Sequence, residues 1–445
     1  MPSLPKPKLS KPALSRPKLS RPSLNLSLGR RSGAKVVGLD IQPGHVTAVQ
    51  AHVNGSIVAE RASALSLPAD VVREGEVLDE GVLAETLREL FSNSSLSKRV
   101  RIGVANQRTV LRTLELPPVT ERKELATAVR FEAQEQVPMP LSNAVLDFHP
   151  LGIHDTPAGP RQQVVLVAAQ RDMIQRLLSA VRAAGLRPEG VDLSAFALIR
   201  SLYRHDPEHD GRVLYLNVDG LTNMAIAEGS VCRFTRVVGG GLEAMAGELA
   251  ERRGVAVADA RALIAAADLT AQLQPSNESA AADLVASAPV EQGDQTPGHV
   301  PADSVPDPAS AEISYEESLE DSLTASQSFA ALAATQVSSP APSEAGTSDA
   351  DVHMVLENGI REIAGEVRNS LDFHRSQEGG GEVATIVLSG AALDVPGFSN
   401  ALEAELRVPL TCETVGMADG AVAGAPVSAQ RLAIAAGLSV EEAPR

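Results

Sequence analysis

Residues 36–54 read VVGLDIQPGHVTAVQAHVN. Apolar residues run up to Asp40, a tight turn follows at Pro43-Gly44, and His45 to Val49 resume an extended pattern, which predicts strand, turn, strand. Pro43 presets one turn dihedral and Gly44 tolerates a positive one, so the backbone can fold back sharply. Asp40 stands where the first strand gives out. A carboxylate beside such a turn can hold a metal-bound phosphate, and an ordinary hairpin with an exposed Asp has the same local pattern. The choice between these readings rests on the remainder of the chain.

The 445 residues exceed one ordinary core, so two or three domains are expected. A net charge of -17 argues against nucleic acid as the partner. With no Trp and 2% aromatics, the cores must be built from Val, Leu, Ile and Ala. Cys232 and Cys412 form no CxxC pair, which disfavours a disulfide framework and a zinc knuckle and points to a reducing compartment. No apolar run approaches the ~18 residues of a membrane span. The basic N-terminus lacks the apolar stretch of a secretory signal. A cytoplasmic protein is expected, meeting the inner face of the membrane through a partner.

Residues 1–34 form a basic arm with a period of five: Pro2, Pro7, Pro12, Pro17 and Pro22, interleaved with Leu4, Leu9, Leu14, Leu19 and Leu24. That period fits neither helix nor strand, so an extended mobile tail is expected, either a tether to an acidic surface or a solubilising extension. A first α/β unit spans 35–118, completed by 194–211. It has strands at 36–41, 46–53, 56–62, 99–105 and 109–116 and a helix at 79–91, and Pro117-Pro118 end it. An insert at 119–193 reads helix, strand, strand, helix, strand. Its first helix is capped by Thr120 and its second is closed by Gly185. The unit from 212 to 445 repeats the opening theme and is interrupted by an acidic loop at about 270–350, because no Lys or Arg occurs between Ala262 and Ile360. His205 and His209 have i, i+4 spacing, but Pro207 between them disfavours the helix a metal pair would need.

Three segments share one design, an apolar strand ending in a small or acidic residue before a turn: 37–44, 214–222 and 386–392. Two hairpin-led halves facing each other would bring Asp40, Gly44 and His45 to one cleft with Asn217, Asp219 and Thr222. Backbone amides in such turns cradle phosphates. Gly239, Gly240 and Gly241 head a helix, whose N-terminus favours an anion. Ser389, Gly390 and Ala391 close the third segment. In this reading Asp40 and Asp219 are the metal-facing carboxylates and all these residues are nucleotide-binding candidates.

Here the sequence resembles the actin-like ATPase superfamily and, within it, the PilM family of type IV pilus assembly proteins. The resemblance is carried by GLDIQPGHV (38–46), VRFEAQEQVPMPLSNAVLDFHPLG (129–152) and VVLVAAQRDMIQRLLSAVRAAGLRPEGVDLSAFALIRSL (164–202). It continues in FTRVVGGGLEAMAGELA (234–250), REIAGEVRNSLDFHRSQ (361–377) and IVLSGAALDVPGFSNALEAEL (386–406). It implies an α/β actin-like two-lobed fold of two ribonuclease-H-like halves, with the small inserted subdomain shared with the division protein FtsA. It also implies ATP with magnesium as the cofactors, and as partner the N-terminal peptide of PilN, an inner-membrane protein with an Asn-Leu-Leu-like motif. A pilus assembly ATPase and a second copy of the chain are further partners it allows. The groove would lie between the first unit and the insert.

Three departures count against turnover. Thr47 stands where the family has Lys and removes a phosphate-pairing cation. Asn217-Val218-Asp219 stands for Asp-Ile-Gly. Ser389-Gly390-Ala391-Ala392 stands for Ser-Gly-Gly-Gly and adds methyl groups where a nucleotide approaches. The leading expectation is therefore a scaffold that binds a partner peptide, with ATP bound but hydrolysed weakly or not at all. The alternatives are an active ATPase or kinase using Asp40, and an FtsA-like division protein, disfavoured by the acidic Glu441-Glu442 end. Ser23–Leu28 places leucines around Asn25, which offers an internal mimic of the PilN peptide beside the plainer reading of a linker.

Overall fold

The structure is a computed structural model and describes residues 35–157, 159–204, 211–270, 348–377, 379–423 and 427–441. The arm, nearly all of the acidic loop and the His205–His209 segment lie outside these residues, and so do the expectations made for them.

In chain order the first part holds β1 (Val37–Gln42), β2 (His45–Asn54), β3 (Ser56–Ser66), a small hairpin of β4 (Val72–Arg73) and β5 (Glu76–Val77), α1 (Glu80–Ser92) and β6 (Arg99–Val104). Next come β7 (Val110–Leu116), α2 (Arg122–Gln136), β8 (Ala144–Thr156), β9 (Gly159–Gln170), α3 (Arg171–Ala183), β10 (Arg187–Leu193) and α4 (Ser194–Leu202). The second part holds β11 (Arg212–Val218), β12 (Thr222–Glu228), β13 (Val231–Val238), α5 (Leu242–Arg253), α6 (Val257–Ala265), α7 (Ser348–Ser376), β14 (Val383–Ser389) and α8 (Phe398–Leu406). The chain closes with β15 (Leu410–Cys412), β16 (Gly416–Ala423) and α9 (Ala433–Ser439).

Two sheets share one plan. In the first, ordered β10-β6-β1-β2-β3-β16, the β1–β2 hairpin is antiparallel while β1 pairs in parallel with β6. In the second, ordered β13-β12-β11-β14-β15, the β11–β12 hairpin is antiparallel while β11 pairs in parallel with β14. Each hairpin strand is buried on both faces, which is why these segments read as near-continuous apolar runs. α1 shows how local signals fix an element. Asp79 accepts from the Val82 amide at 2.9 Å, and Leu83, Leu87 and Leu90 recur on the face that meets the sheet. Among the described residues no helix is long and apolar enough to cross a membrane.

The structure redraws the boundaries read from sequence. β7 pairs with β9 in a separate three-stranded sheet, β7-β9-β8, and packs Leu114 and Leu116 against Leu125, Val129 and Ala133 of α2. It therefore belongs with the insert. Pro117-Pro118 end the strand but do not mark where its sheet begins. Conversely, α3 buries Met173, Ile174, Leu177 and Val181 in the first lobe's core with α1, and β10 lies at the edge of the first sheet. Their apolar faces find complements there and not in the insert. β16 pairs with β3, and α9 packs on β1 and α4, so the chain returns to the first lobe instead of ending in the second. Glycines permit this return. A Cβ on Gly38 would overlap the Ala435 carbonyl, and one on Gly437 would overlap that of Ala197. The residue preceding α2 is Glu121, without a side-chain cap bond, so Thr120 does not cap it. Gly185 does take the positive dihedral that ends α3, with φ 79°.

Candidate nucleotide site between the two hairpins

The turns of the two hairpins meet. Gly220 packs so closely on the Pro43 carbonyl that a side chain there would collide with it. Gln42, fully buried, links them: its Nε2 donates to Asp40 Oδ1 at 3.1 Å and its Oε1 accepts from the Leu221 amide at 3.3 Å. Gly44, with φ 87°, makes the first turn. Thr47 faces Asp40 across the hairpin, and Asn217 lies level with Asn223 and Ser389 in the second sheet.

Asp40 is 3% exposed, and its carboxyl is pushed up to about 7, first by burial and then by the neighbouring charge of Asp219. Buried Gln42 opposes this by donating to it. His45 is pushed the other way: burial lowers its pKa, so the ring is neutral near pH 7. His45 Nε2 lies 3.5 Å from Asp219 Oδ1, and Arg431 Nε lies 3.9 Å from the same oxygen. His45 Nε2, Thr47 Oγ1, Thr222 Oγ1, Ser389 Oγ and Arg431 Nε are buried with no hydrogen-bond partner. Native interiors leave few such groups orphaned, and two of these residues, His45 and Arg431, line one pocket, which marks a place there for a ligand or water.

A pocket of about 350 Å³ opens beside this cluster, lined by Gly44, His45, Asp219, Arg261, Ala391 and Arg431 among others. Gly390, with φ 104°, passes hard against the Val218 carbonyl. Ala391 lines the pocket, whereas Ala392 is buried in the second lobe's core. Gly239 and Gly240 line a larger groove of about 1200 Å³ with Glu74, Gln107 and Glu362, which shares Pro43, Gly220 and Glu243 with the smaller pocket, and Gly241 packs on the backbone of Asp219 and Gly220. The pocket thus gathers Gly44, His45, Asp219 and Ala391, with Asp40 near enough to feel the Asp219 charge, while Asn217, Thr222 and Ser389 are not among its lining residues and Gly239 and Gly240 line the larger groove. Sequence reading missed Gln42, Glu243, Arg261 and Arg431. Gln42 and Glu243 lie inside quoted stretches, whereas Arg261 and Arg431 lie outside all of them.

The donor set fits the anionic end of a nucleotide, since an orphaned imidazole and an orphaned guanidinium nitrogen belong to residues lining the pocket beside the Gly44 and Gly220 turns. The pocket volume is at the small end of ligand sites, which run from about 300 to 1,000 Å³. Among the described residues no group of three or more His, Cys, Asp or Glu side chains is placed to hold a metal ion. The acidic pair Asp40 and Asp219 can face a hydrated cation but cannot enclose one.

The sequence pattern of the family described as type IV pilus assembly protein PilM matches residues 38–261, half of the chain. Among solved structures the chain is similar to the PilM-PilN type IV pilus biogenesis complex, with TM-score 0.60 and 19% identity over 91% of this chain and 97% of that one. It is also similar to the ethanolamine utilization protein EutJ from Carboxydothermus hydrogenoformans, with TM-score 0.44 and 12% identity over 91% of this chain and 88% of that one. For MreB 5 of Spiroplasma citri bound to AMPPNP the figures are 0.43 and 10%, over 91% and 95%. The architecture is the actin-like two-lobed fold that the paired hairpins imply.

Proposed function

The chain belongs to the PilM family of type IV pilus assembly proteins, and from that premise we propose that it is a cytoplasmic scaffold that binds the N-terminal peptide of a PilN-like inner-membrane protein. The observation that carries this reading is the family match together with a common fold over nearly the whole of a PilM solved with PilN. The insert supplies a suitable surface. β8 is the outer strand of its sheet, so one row of its backbone groups is free to pair with an added strand. Leu151 on β8 packs against the core shared by the two lobes, which holds this strand beside them. Val145 and Ile153 on β8 and Phe131 on α2 are exposed apolar side chains, and these suit a leucine-bearing peptide.

The same reading includes a nucleotide held in the hairpin pocket as a structural ligand. Thr47, Asn217 and the Gln42-bound Asp40 are poor equipment for turnover. Magnesium near Asp40 and Asp219 would offset the repulsion between their carboxylates. An isotope-labelled sample titrated with a peptide of the partner's N-terminus tests the scaffold reading. Shifts confined to β8, α2 and the adjoining first lobe support it, and a spectrum that does not move rejects it. Steady ATP hydrolysis abolished by Asp40→Ala would put an ATPase in its place.

A further inference from the structure

Two side-chain nitrogens of residues lining the hairpin pocket make no hydrogen bond. His45 Nε2 and Arg431 Nε are buried, and each is in only a loose ion-pair contact with Asp219 Oδ1. At 3.5 and 3.9 Å neither contact is a proper hydrogen bond. Asp219 Oδ1 instead accepts from the Gly220 amide at 3.0 Å. A buried donor left unmade is costly, so two of them beside one pocket identify where an anionic oxygen would be welcomed. The neighbouring cation does not compete for this role. Arg261 is already engaged, through Nε with Glu243 Oε2 at 2.7 Å and through Nη1 with the Leu67 carbonyl at 2.9 Å. The hairpin itself brings no cation, because Thr47 occupies the position that faces Asp40.

We infer that Arg431 is the phosphate-binding cation of this pocket, holding with His45 an oxygen of a bound nucleotide and supplying from the C-terminal segment the charge the first hairpin lacks. Arg431 suits the task because an arginine presents its donors in a fixed fork that matches the oxygens of a phosphate. It sits in the short turn Ala429–Arg431, immediately before α9, which is wedged against β1 and α4. A phosphate there would join the first hairpin, the second hairpin and the C-terminal segment in one contact. The inference rests on the nucleotide reading given above.

The test is calorimetric titration of the full chain with Mg-ATP and, separately, with adenosine, for wild type, Arg431→Gln, Arg431→Lys and His45→Phe. Arg431→Gln is expected to weaken ATP by about tenfold or more while leaving adenosine unchanged. Arg431→Lys should recover part of the loss, and His45→Phe should show the same selectivity for the phosphate-bearing ligand. Should the glutamine variant fail to fold, the other two carry the comparison. Equal weakening of ATP and adenosine would mean a merely structural role and would overturn the inference, as would ATP affinity that ignores Arg431. Wild-type protein that binds neither ligand would remove the nucleotide reading itself.

Discussion

Arg261, on α6 of the second lobe, donates to the backbone carbonyl of Leu67 in the first, at 2.9 Å. The same guanidinium is paired with Glu243 of α5, whose carboxylate rests directly on Gly44. One side chain therefore ties two helices of one lobe to the hairpin region of the other. Removing it by Arg261→Ala leaves Glu243 partly buried without its partner and frees the Leu67 carbonyl. A loss of about 1.5–3 kcal/mol in denaturant unfolding is expected, as for hydrogen bonds to charged groups. Faster amide exchange around Leu67 should accompany it. Lysine cannot reproduce the fork, so Arg261→Lys should recover only part of the stability.

Asp40 makes stability depend on pH in a defined direction. Its folded pKa of about 7 lies above the ordinary 3.8, so the folded state holds the proton more tightly than the unfolded chain does. The stabilising contribution is complete below the ordinary value and is lost as pH rises through the folded one. Asp40→Asn removes this dependence. The variant should gain on wild type between about pH 4 and pH 7, by at most roughly 1.4 kcal/mol per pH unit, and hold a constant lead above that window. Urea melts across that range measure it. An Asp40→Asn curve parallel to wild type would mean that the carboxyl titrates normally.

The return of α9 to the first lobe depends on two glycines. Gly38→Ala or Gly437→Ala sets a methyl group against a main-chain carbonyl that cannot rotate away. Either change should cost about 1–3 kcal/mol or more, the usual range for overpacking. Because Arg431 precedes α9, each should also lower any affinity for nucleotide. Thermal melts with and without Mg-ATP check both effects.

Much of this architecture was legible in sequence. Pro43-Gly44 is a local turn signal, and the apolar runs at 37–41 and 213–218 could hardly be anything but buried strands, so the paired hairpins followed. The insert's limits were not legible. Pro117-Pro118 stop a strand without revealing that its partner β9 lies some 45 residues further on, and the amphipathic face of α3 does not say which core it meets. β16 carries too many small residues to announce itself, GMADGAVA. The chemistry of the pocket was the least legible part. Arg261 and Arg431 resemble any surface arginine until folding sets them beside Gly44 and Asp219, and Gly239 and Gly240 satisfied a local pattern while facing another groove.

The central claim, a peptide-binding scaffold, is tested most directly by calorimetric titration of this chain with the N-terminal peptide of its PilN-like partner, beside Ile153→Glu and a peptide with its motif asparagine changed to alanine. The account predicts saturable one-to-one binding to wild type and a loss of about tenfold or more in each altered pair, since a charge on the β8 edge disrupts an apolar strand-addition contact. Absence of binding to the wild-type chain would contradict it.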